Sequence, residues 1–177
     1  MDALVARASL ADAAQQSIDV QYYIAHDGLT TRLLVQRLLQ AADRGVQVRI
    51  LLDDLTSHGQ ETRLVSLAAH DNVEIRVFNA VPSGRQSALA RALFVLTNIQ
   101  RMHRRMHNKL WIVDESVGIT GGRNLGDEYY GASDEMNFTD LDLLVVGPLV
   151  ADMRASFEAY WNSPFAVPIS QVVTSRP

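Results

Sequence analysis

The feature that most constrains the fold of this chain is the alternation of helical and extended hydrophobic patterns over residues 2–78. Apolar residues recur at helical spacing in three segments and alternate with polar residues, or run together, in three others. The helical segments are 2–16, 29–44 and 61–71, and the extended ones are 17–24, 46–52 and 73–78. Gly45 is a natural helix stop. Such a rhythm predicts a sheet with parallel pairings and helices on its faces.

The second half of the chain adds antiparallel strands. A long helical pattern over residues 86–104 is followed by two strands, 109–113 and 117–120, whose connection is short enough only for a hairpin. A further strand at 141–146 and a closing helix at 150–161 complete the pattern. We therefore predict an α/β fold, an α-β-α sandwich with a mixed central sheet.

The domain organisation expected from the sequence is one domain over residues 1–162. Residues 163–177 have mixed polar composition with Pro164 and Pro168, which is typical of a linker or C-terminal arm. The length of 177 residues suits one domain with a real core. No apolar run approaches the roughly 20 residues of a membrane span, and no signal peptide is expected.

Charge and cysteine content narrow the function classes. The net charge of −4 argues against a general nucleic-acid binder. The charge is uneven, because residues 101–109 hold a basic stretch, RMHRRMHNK, to which an anion can be drawn. The absence of cysteine excludes disulfides and cysteine-ligated metal.

The chemistry is concentrated in residues 106–124, MHNKLWIVDESVGITGGRN. His107 and Lys109 are two apart at the start of a strand, so both side chains point to the same side. A neutral imidazole is a competent nucleophile near pH 7, and a neighbouring ammonium binds phosphate oxygens and stabilises transition-state charge. Gly121 and Gly122 allow the backbone to approach an anion closely, and Asn124 can donate amide hydrogens to phosphate.

This block resembles the phospholipase D superfamily. The signature of that family is His-x-Lys-x4-Asp, six residues, Gly-(Gly or Ser), one residue and Asn. The stretch RRMHNKLWIVDESVGITGGRNLGDEYYG is similar to the first motif block of bacterial cardiolipin synthases, the C-type in particular. The opening segment IDVQYYIAHDGLTTRLLVQRLLQAADRGVQVRILLDD is similar to the start of their first catalytic half. The positions that match the signature are His107, Lys109, Asp114, Gly121, Gly122 and Asn124.

The resemblance implies a two-step mechanism without metal or other cofactor. Two motif histidines, one from each half, face each other across the phosphate. By resemblance His107 is the nucleophile that forms a phosphohistidine, while Lys109 and Asn124 hold the phosphate. An acidic residue before the late strand orients the nucleophilic imidazole in this family. The stretch FTDLDLLVVGP makes Asp140 the best match and Asp142 the runner-up.

The remaining motif positions are given more general roles. Asp114 is expected to brace its loop rather than to react. Gly121 and Gly122 are expected to contact substrate, and where many members of the family carry Ser this chain has Gly122. His103 and His107 have a spacing that can ligate zinc, but no third ligand presents itself, so no metal site is expected. Asp53 and Asp54 follow a strand, where turn or helix-cap duty is the default and a ligand contact the alternative.

Three functions are compatible with one motif. The first is the initial catalytic half of a cardiolipin-synthase-like transphosphatidylase. The second is a single-motif phosphodiesterase or nuclease that completes its site as a homodimer, and the third is an isolated domain without turnover. The expected partners are a phospholipid head group, a second motif in cis or in a second copy, and a peripheral membrane surface, with nucleic acid less favoured. The expected location is bacterial and associated with the cytoplasmic membrane.

Overall fold

A computed structural model describes residues 2–54, 60–80 and 105–174. The helical pattern predicted at 86–104, and with it residues 101–104 of the basic stretch, lies outside the described residues. Five α-helices occur in these ranges: α1 (Asp2–Ala13), α2 (Leu29–Asp43), α3 (Glu61–Ala68), α4 (Leu149–Trp161) and α5 (Ile169–Thr174). The seven strands are β1 (Ser17–Tyr22), β2 (Gln47–Asp53), β3 (Val73–Phe78), β4 (Leu110–Val113), β5 (Val117–Gly121), β6 (Asp142–Val146) and β7 (Ala166–Pro168).

The strands form one mixed sheet in the order β6-β5-β4-β1-β2-β3-β7. Strands β1, β2 and β3 pair in parallel, and all the other pairings are antiparallel. One face packs against α1, α2, α3 and α5 in the larger apolar core, and the opposite face packs against α4 around Phe157 and Trp161. The predicted α-β-α sandwich with a mixed sheet is therefore confirmed.

The β4-β5 connection forms the predicted hairpin. Asp114 and Glu115 both have left-handed backbone angles, with φ of 50° and 54°, and Ser116 donates its N–H to the Val113 carbonyl at 3.0 Å. Two consecutive positive φ angles define a type I′ turn, whose twist matches that of the flanking strands. The hairpin fixes Val113 opposite Val117 and so sets the register of the whole motif block.

The chain beyond residue 162 differs from the linker or arm expected from the sequence. Strand β7 pairs antiparallel with β3, and α5 buries Ile169 and Val172 against the larger core. The prolines that suggested a linker are compatible with this arrangement, because Pro168 ends a short strand at the edge of the sheet, where a missing N–H costs little. The pattern AVPISQVV is too short to reveal either element by periodicity.

The first helix is shorter than its apolar pattern. It ends at Ala13, whereas the helical spacing of apolar residues predicts a helix as far as residue 16. The backbone N–H groups of Gln15, Gln16 and Ser17 donate to the Asp114 carboxylate instead of continuing the helix. A contact distant in sequence therefore overrides local helix propensity at this point.

Candidate active site

His107 and Lys109 stand at the entrance to β4 and contact each other directly. The Lys109 ammonium nitrogen lies 3.1 Å from both ring nitrogens of His107, and it donates to the His107 carbonyl at 2.7 Å. The imidazole is exposed, whereas the lysine is only 4 % exposed. The structure thus brings an accessible ring and a buried cation together at one point, as their spacing predicted.

Lys109 is the only lysine in the sequence. Its buried environment disfavours the charged form of its side chain. Burial lowers the pKa of Lys109 below the ordinary lysine value of 10.5, and the negative charge of Asp140 acts in the opposite direction. A desolvated ammonium interacts strongly with any anion that reaches it, because little water screens the interaction. The site therefore presents a buried cation next to an exposed imidazole.

Asp140 lies two residues before β6, against the motif residue Gly122. Its carboxylate occupies the space beside the Gly122 α-carbon, where a β-carbon would collide with it. One of its oxygens also accepts the Leu141 N–H at 2.9 Å. Arg123 donates to the Asp140 carbonyl at 2.7 Å and so fixes the backbone at this point.

Asp142, the alternative acidic candidate, is engaged elsewhere. Its carboxylate accepts from the buried Arg7 at 2.9 Å and from Arg123 at 3.0 Å. Arg7 in turn donates to the Tyr22 hydroxyl at 2.8 Å. Asp142 therefore belongs to a network that joins α1 to the sheet, whereas Asp140 is the carboxylate whose charge acts on Lys109.

Asn124 and Tyr23 connect the site to the end of β1. The side-chain oxygen of Asn124 accepts the Ile24 N–H at 3.2 Å, while the Tyr23 ring lies 4.9 Å from the His107 ring, centroid to centroid. The Asn124 amide nitrogen donates to no residue within the described ranges. Its two hydrogens therefore remain available to an oxygen of a bound phosphate.

Gly121 and Gly122 provide room for close backbone packing. A β-carbon on Gly121 would collide with the Leu141 carbonyl oxygen and with Asp142. The Gly122 N–H donates to the Leu141 carbonyl at 3.2 Å, so this N–H is already occupied in the structure. The two glycines let the end of β5 pack closely against residues 140–142, the segment that includes Asp140. This packing role is separate from any contact with substrate.

Asp114 holds the hairpin to the segment that precedes β1. Its carboxylate accepts N–H groups from Ser17, Gln15 and Gln16 at 2.7–2.9 Å. Burial opposes ionisation, but these three donors hold the pKa of Asp114 below its ordinary value. A carboxylate occupied in this way is suited to the bracing role expected for it.

Asp53 is a supporting residue whose contact with the motif was not foreseen. It is fully buried at the end of β2, where it accepts the Met106 N–H at 3.1 Å and pairs with Arg105 at 3.0 Å. These are the two residues that precede His107. The sequence signal for this contact is an aspartate at the carboxyl end of a strand. The default expectation for such a residue is a turn or a helix cap.

Asp127, in the segment LGDEYYG, is a second supporting residue that the sequence analysis did not identify. It accepts the N–H groups of Leu29 and Thr30 at 3.0 and 2.8 Å and the Thr30 hydroxyl at 2.6 Å. It thereby caps α2 from a distant part of the chain. Sequence spacing alone does not reveal a cap supplied from so far away.

No cluster of three or more potential metal ligands occurs within residues 2–54, 60–80 and 105–174. His103 of the considered zinc pair lies outside those ranges. No helix in the described part of the chain is long and apolar enough to cross a bilayer.

Comparison with known proteins identifies the family. The model for the PLD-like domain of cardiolipin synthase matches residues 8–161. The chain belongs to this family. Over 173 residues it is 44% identical to cardiolipin synthase C of Escherichia coli K12, an alignment that covers 98% of this chain and 36% of that protein. The chain thus spans about a third of the length of this relative.

Solved structures agree on the fold. NucT from Helicobacter pylori superimposes with a TM-score of 0.67 at 16% identity, over 94% of this chain and 91% of that one. Nuc from Salmonella typhimurium, a phospholipase D family member, gives a TM-score of 0.62 at 18% identity, over 93% and 88% of the two chains. The phospholipase D-like fold expected from the motif is therefore confirmed.

Proposed function

We propose that this chain is one catalytic half of a phospholipase D-type phosphatidyltransferase that forms cardiolipin from phospholipids. The observation that carries the proposal is the Lys109 ammonium held 3.1 Å from the His107 ring nitrogens, in a chain 44% identical to a cardiolipin synthase. A nucleophile and a phosphate-binding cation at one point are the parts needed for phosphoryl-group transfer.

In the proposed first step a ring nitrogen of His107 attacks phosphorus. A P–N bond forms and the bond to the leaving alcohol oxygen breaks. Lys109 and the amide hydrogens of Asn124 hold the non-bridging oxygens. In the second step the hydroxyl oxygen of an acceptor lipid attacks phosphorus, the P–N bond breaks, and the hydroxyl proton passes to the group that protonated the leaving alcohol. Attack by water in the same way gives hydrolysis. Asp140 supports this chemistry by keeping negative charge beside Lys109, which offsets part of the burial penalty on the ammonium.

The leaving alcohol requires a proton from the side opposite His107. His107 cannot occupy both sides of the phosphorus. We therefore propose that a second motif supplies the general acid, either from a longer chain or from a second copy, and that a strictly monomeric preparation of this chain is inactive. Peripheral association with the bacterial cytoplasmic membrane follows from a lipid substrate.

The second candidate is a homodimeric single-motif phosphodiesterase or nuclease. The structural match to NucT and Nuc supports it, because this chain superimposes on 91% and 88% of those chains. Assay against phosphatidylglycerol vesicles and against an oligonucleotide separates the two candidates. Turnover of lipid alone supports the first, and turnover of the oligonucleotide alone overturns it.

The nucleophile is tested by trapping the covalent intermediate. After incubation with a phospholipid labelled at phosphorus, the active assembly should carry an acid-labile, alkali-stable phosphoenzyme. The intermediate should be absent from His107→Asn and present in His70→Asn, which alters a partly exposed histidine paired with Asp43. Formation in EDTA should be undiminished, because lysine and asparagine meet the phosphate charge. A phosphoenzyme in His107→Asn, or loss in EDTA with recovery on adding zinc, would refute the mechanism.

A further inference from the structure

Two histidine–carboxylate pairs occur in the described part of the chain, at opposite ends of the strands. His26 Nδ1 lies 2.6 Å from Glu128 Oε1, and His70 Nε2 lies 3.1 Å from Asp43 Oδ1. His26 and Glu128 follow the carboxyl ends of β1 and β5, which run in the same direction because both pair antiparallel with β4. His70 and Asp43 precede the amino ends of β3 and β2, which are parallel to β1. Of these two, the His26–Glu128 pair therefore lies at the end of the sheet that carries the candidate active site.

Backbone contacts attach His26 to the motif. The His26 N–H donates to the Leu125 carbonyl at 2.9 Å, and the two segments form a short parallel bridge at this point. Leu125 directly follows Asn124, whose amide hydrogens are assigned to a phosphate oxygen. The chain from Tyr23 to His26 spans at most about 11 Å, and the Tyr23 ring contacts the His107 ring. The imidazole of His26 is therefore anchored within reach of a head group attached to that phosphate.

Glu128 is held as firmly as its partner. Its carboxylate lies against the α-carbon of Gly126, where a β-carbon would collide with both carboxylate oxygens. Its carbonyl accepts the Phe138 N–H at 2.8 Å. The Glu128 side chain is only 20 % exposed, which is low for a glutamate in a loop. The contact with His26 is therefore a defined pair rather than a chance meeting of two mobile side chains.

The pair retains two unused hydrogen-bond acceptors. Because a carboxylate only accepts, Nδ1 of His26 carries the hydrogen in this contact, and Nε2 of the neutral ring is an acceptor. Within the described ranges no residue donates to that Nε2 or to Oε2 of Glu128, and the imidazole is 52 % exposed. The neighbouring acids are occupied, because Asp127 caps α2 and Asp27 pairs with two arginines. The two acceptors are thus accessible to a ligand that donates hydrogen bonds.

We propose that His26 and Glu128 form a subsite for the vicinal hydroxyl groups of a glycerol head group, next to the phosphate held by Lys109 and Asn124. The inference rests on the proposed function, because a glycerol unit joins the two phosphatidyl groups of cardiolipin. A vicinal diol donates two hydrogen bonds and so matches two acceptors on paired side chains.

The charge of the pair distinguishes it from a second phosphate site. The His26–Glu128 pair has a net charge of −1 or zero, depending on whether the imidazole is protonated, and it therefore does not attract another anion. A head group without hydroxyls leaves both acceptors to water and gains nothing from the pair. The subsite therefore selects for the alcohol part of the ester, whereas Lys109 selects for its phosphate.

Two phosphate monoesters of equal carbon length test the subsite. Glycerol 3-phosphate and propyl phosphate share the phosphate group and differ by two hydroxyls. In isothermal titration calorimetry the unaltered chain should bind glycerol 3-phosphate about tenfold more tightly, as expected for hydrogen bonds to a charged partner. His26→Phe should remove this preference and leave the affinity for propyl phosphate unchanged. Because His26 is half-exposed, the variant should fold, and urea unfolding checks this.

The second histidine–carboxylate pair supplies the matched control. His70→Phe makes the same substitution at the opposite end of the strands, so the tenfold preference should remain. Equal binding of the two esters by the unaltered chain would overturn the subsite. The same conclusion follows if neither ester binds, or if the preference survives in His26→Phe.

These outcomes are separate from those that judge the proposed function. Lys109→Gln should weaken the binding of both esters alike, because it removes the cation that holds the phosphate. A chain that binds both esters equally, and loses both in Lys109→Gln, keeps its phosphate site but has no diol subsite. The phosphoenzyme experiment judges the mechanism independently, since it depends on His107 and not on the preference between the two esters.

Discussion

The Asp140 carboxylate lies against the α-carbon of Gly122, in the space that a side chain at residue 122 would occupy. Asp140 is also the carboxylate whose charge supports protonation of Lys109. A glycine in the motif and an acidic residue eighteen positions later are therefore a single packing unit. The family pattern admits Ser at this position, but in this chain a serine would require Asp140 to move.

We predict that Gly122→Ser and Gly122→Ala impair the site through Asp140. Either side chain forces the carboxylate away, with an overpacking cost of about 1–3 kcal/mol. Turnover and phosphate affinity should both fall, and urea unfolding should show the loss of stability. The control is Gly118→Ala, whose new β-carbon would meet only the mobile end of the Met153 side chain. Full activity in Gly122→Ser would mean that the position of Asp140 is unimportant.

Lys109 should titrate below the ordinary lysine value of 10.5, because burial disfavours its charged form. Since it is the only lysine, ¹³C-labelled lysine gives a single side-chain signal whose pH dependence reports this group directly. Asp140→Asn removes a charge that raises the pKa of Lys109, so the midpoint should move to still lower pH.

Binding of inorganic phosphate should follow the same titration. Phosphate binding should weaken as pH rises through the pKa of Lys109. In Asp140→Asn this weakening should occur at lower pH than in the unaltered chain. The control is Asp152→Asn, which makes the same change of charge on a different element, α4. A Lys109 midpoint at or above 10.5 in the unaltered chain would contradict the account.

Much of the sheet was predictable because its signals are local. Alternating patterns located six of the seven strands, and the short 114–116 connection predicted the hairpin. His107 and Lys109 lie just before β4 rather than on it, and the motif spacing of two still places them in contact. These inferences needed no knowledge of which segments are neighbours in space.

The parts that were missed depend on tertiary contacts. β7 is only three residues long and is stabilised by β3, so no periodicity marks it. The contacts of Asp53 with Arg105 and Met106 join positions more than fifty residues apart. The ion pair between Asp142 and Arg7 likewise joins distant parts of the chain, and no local pattern indicates the burial of Arg7.

Asp53 should control the position of His107 rather than take part in the reaction. We predict that Asp53→Ala destabilises the fold by about 3–5 kcal/mol, because it removes a buried carboxylate that contacts both Arg105 and the Met106 N–H. Asp53→Asn keeps an acceptor for the Met106 N–H and should retain more stability and more turnover. Urea unfolding and kcat measured on the same variants check the order. Equal loss of turnover in the two variants at unequal stability would argue for a direct role.

Asp114 should contribute stability but not chemistry. Three backbone N–H groups donate to its carboxylate, and a φ of 50° at this residue is tolerated by asparagine better than by alanine. Asp114→Asn should therefore cost about 1–3 kcal/mol, and Asp114→Ala more. At a temperature where both variants are folded, kcat should be unchanged. Loss of kcat without loss of stability would make Asp114 a reacting group.

The pH dependence supplies an independent check on Asp114. Its folded-state pKa lies below the ordinary value of 3.8, so its contribution is fully present above that pH and is lost as pH falls through the folded-state pKa. The difference in unfolding free energy between the unaltered chain and Asp114→Asn should stay constant from about pH 5 to 8 and shrink in more acidic solution. Asp12→Asn is the control, because the Asp12 carboxylate is exposed and, among the described residues, pairs with Arg37 alone. If this difference in unfolding free energy persists undiminished well below pH 3.8, the charge on Asp114 is not what braces the hairpin.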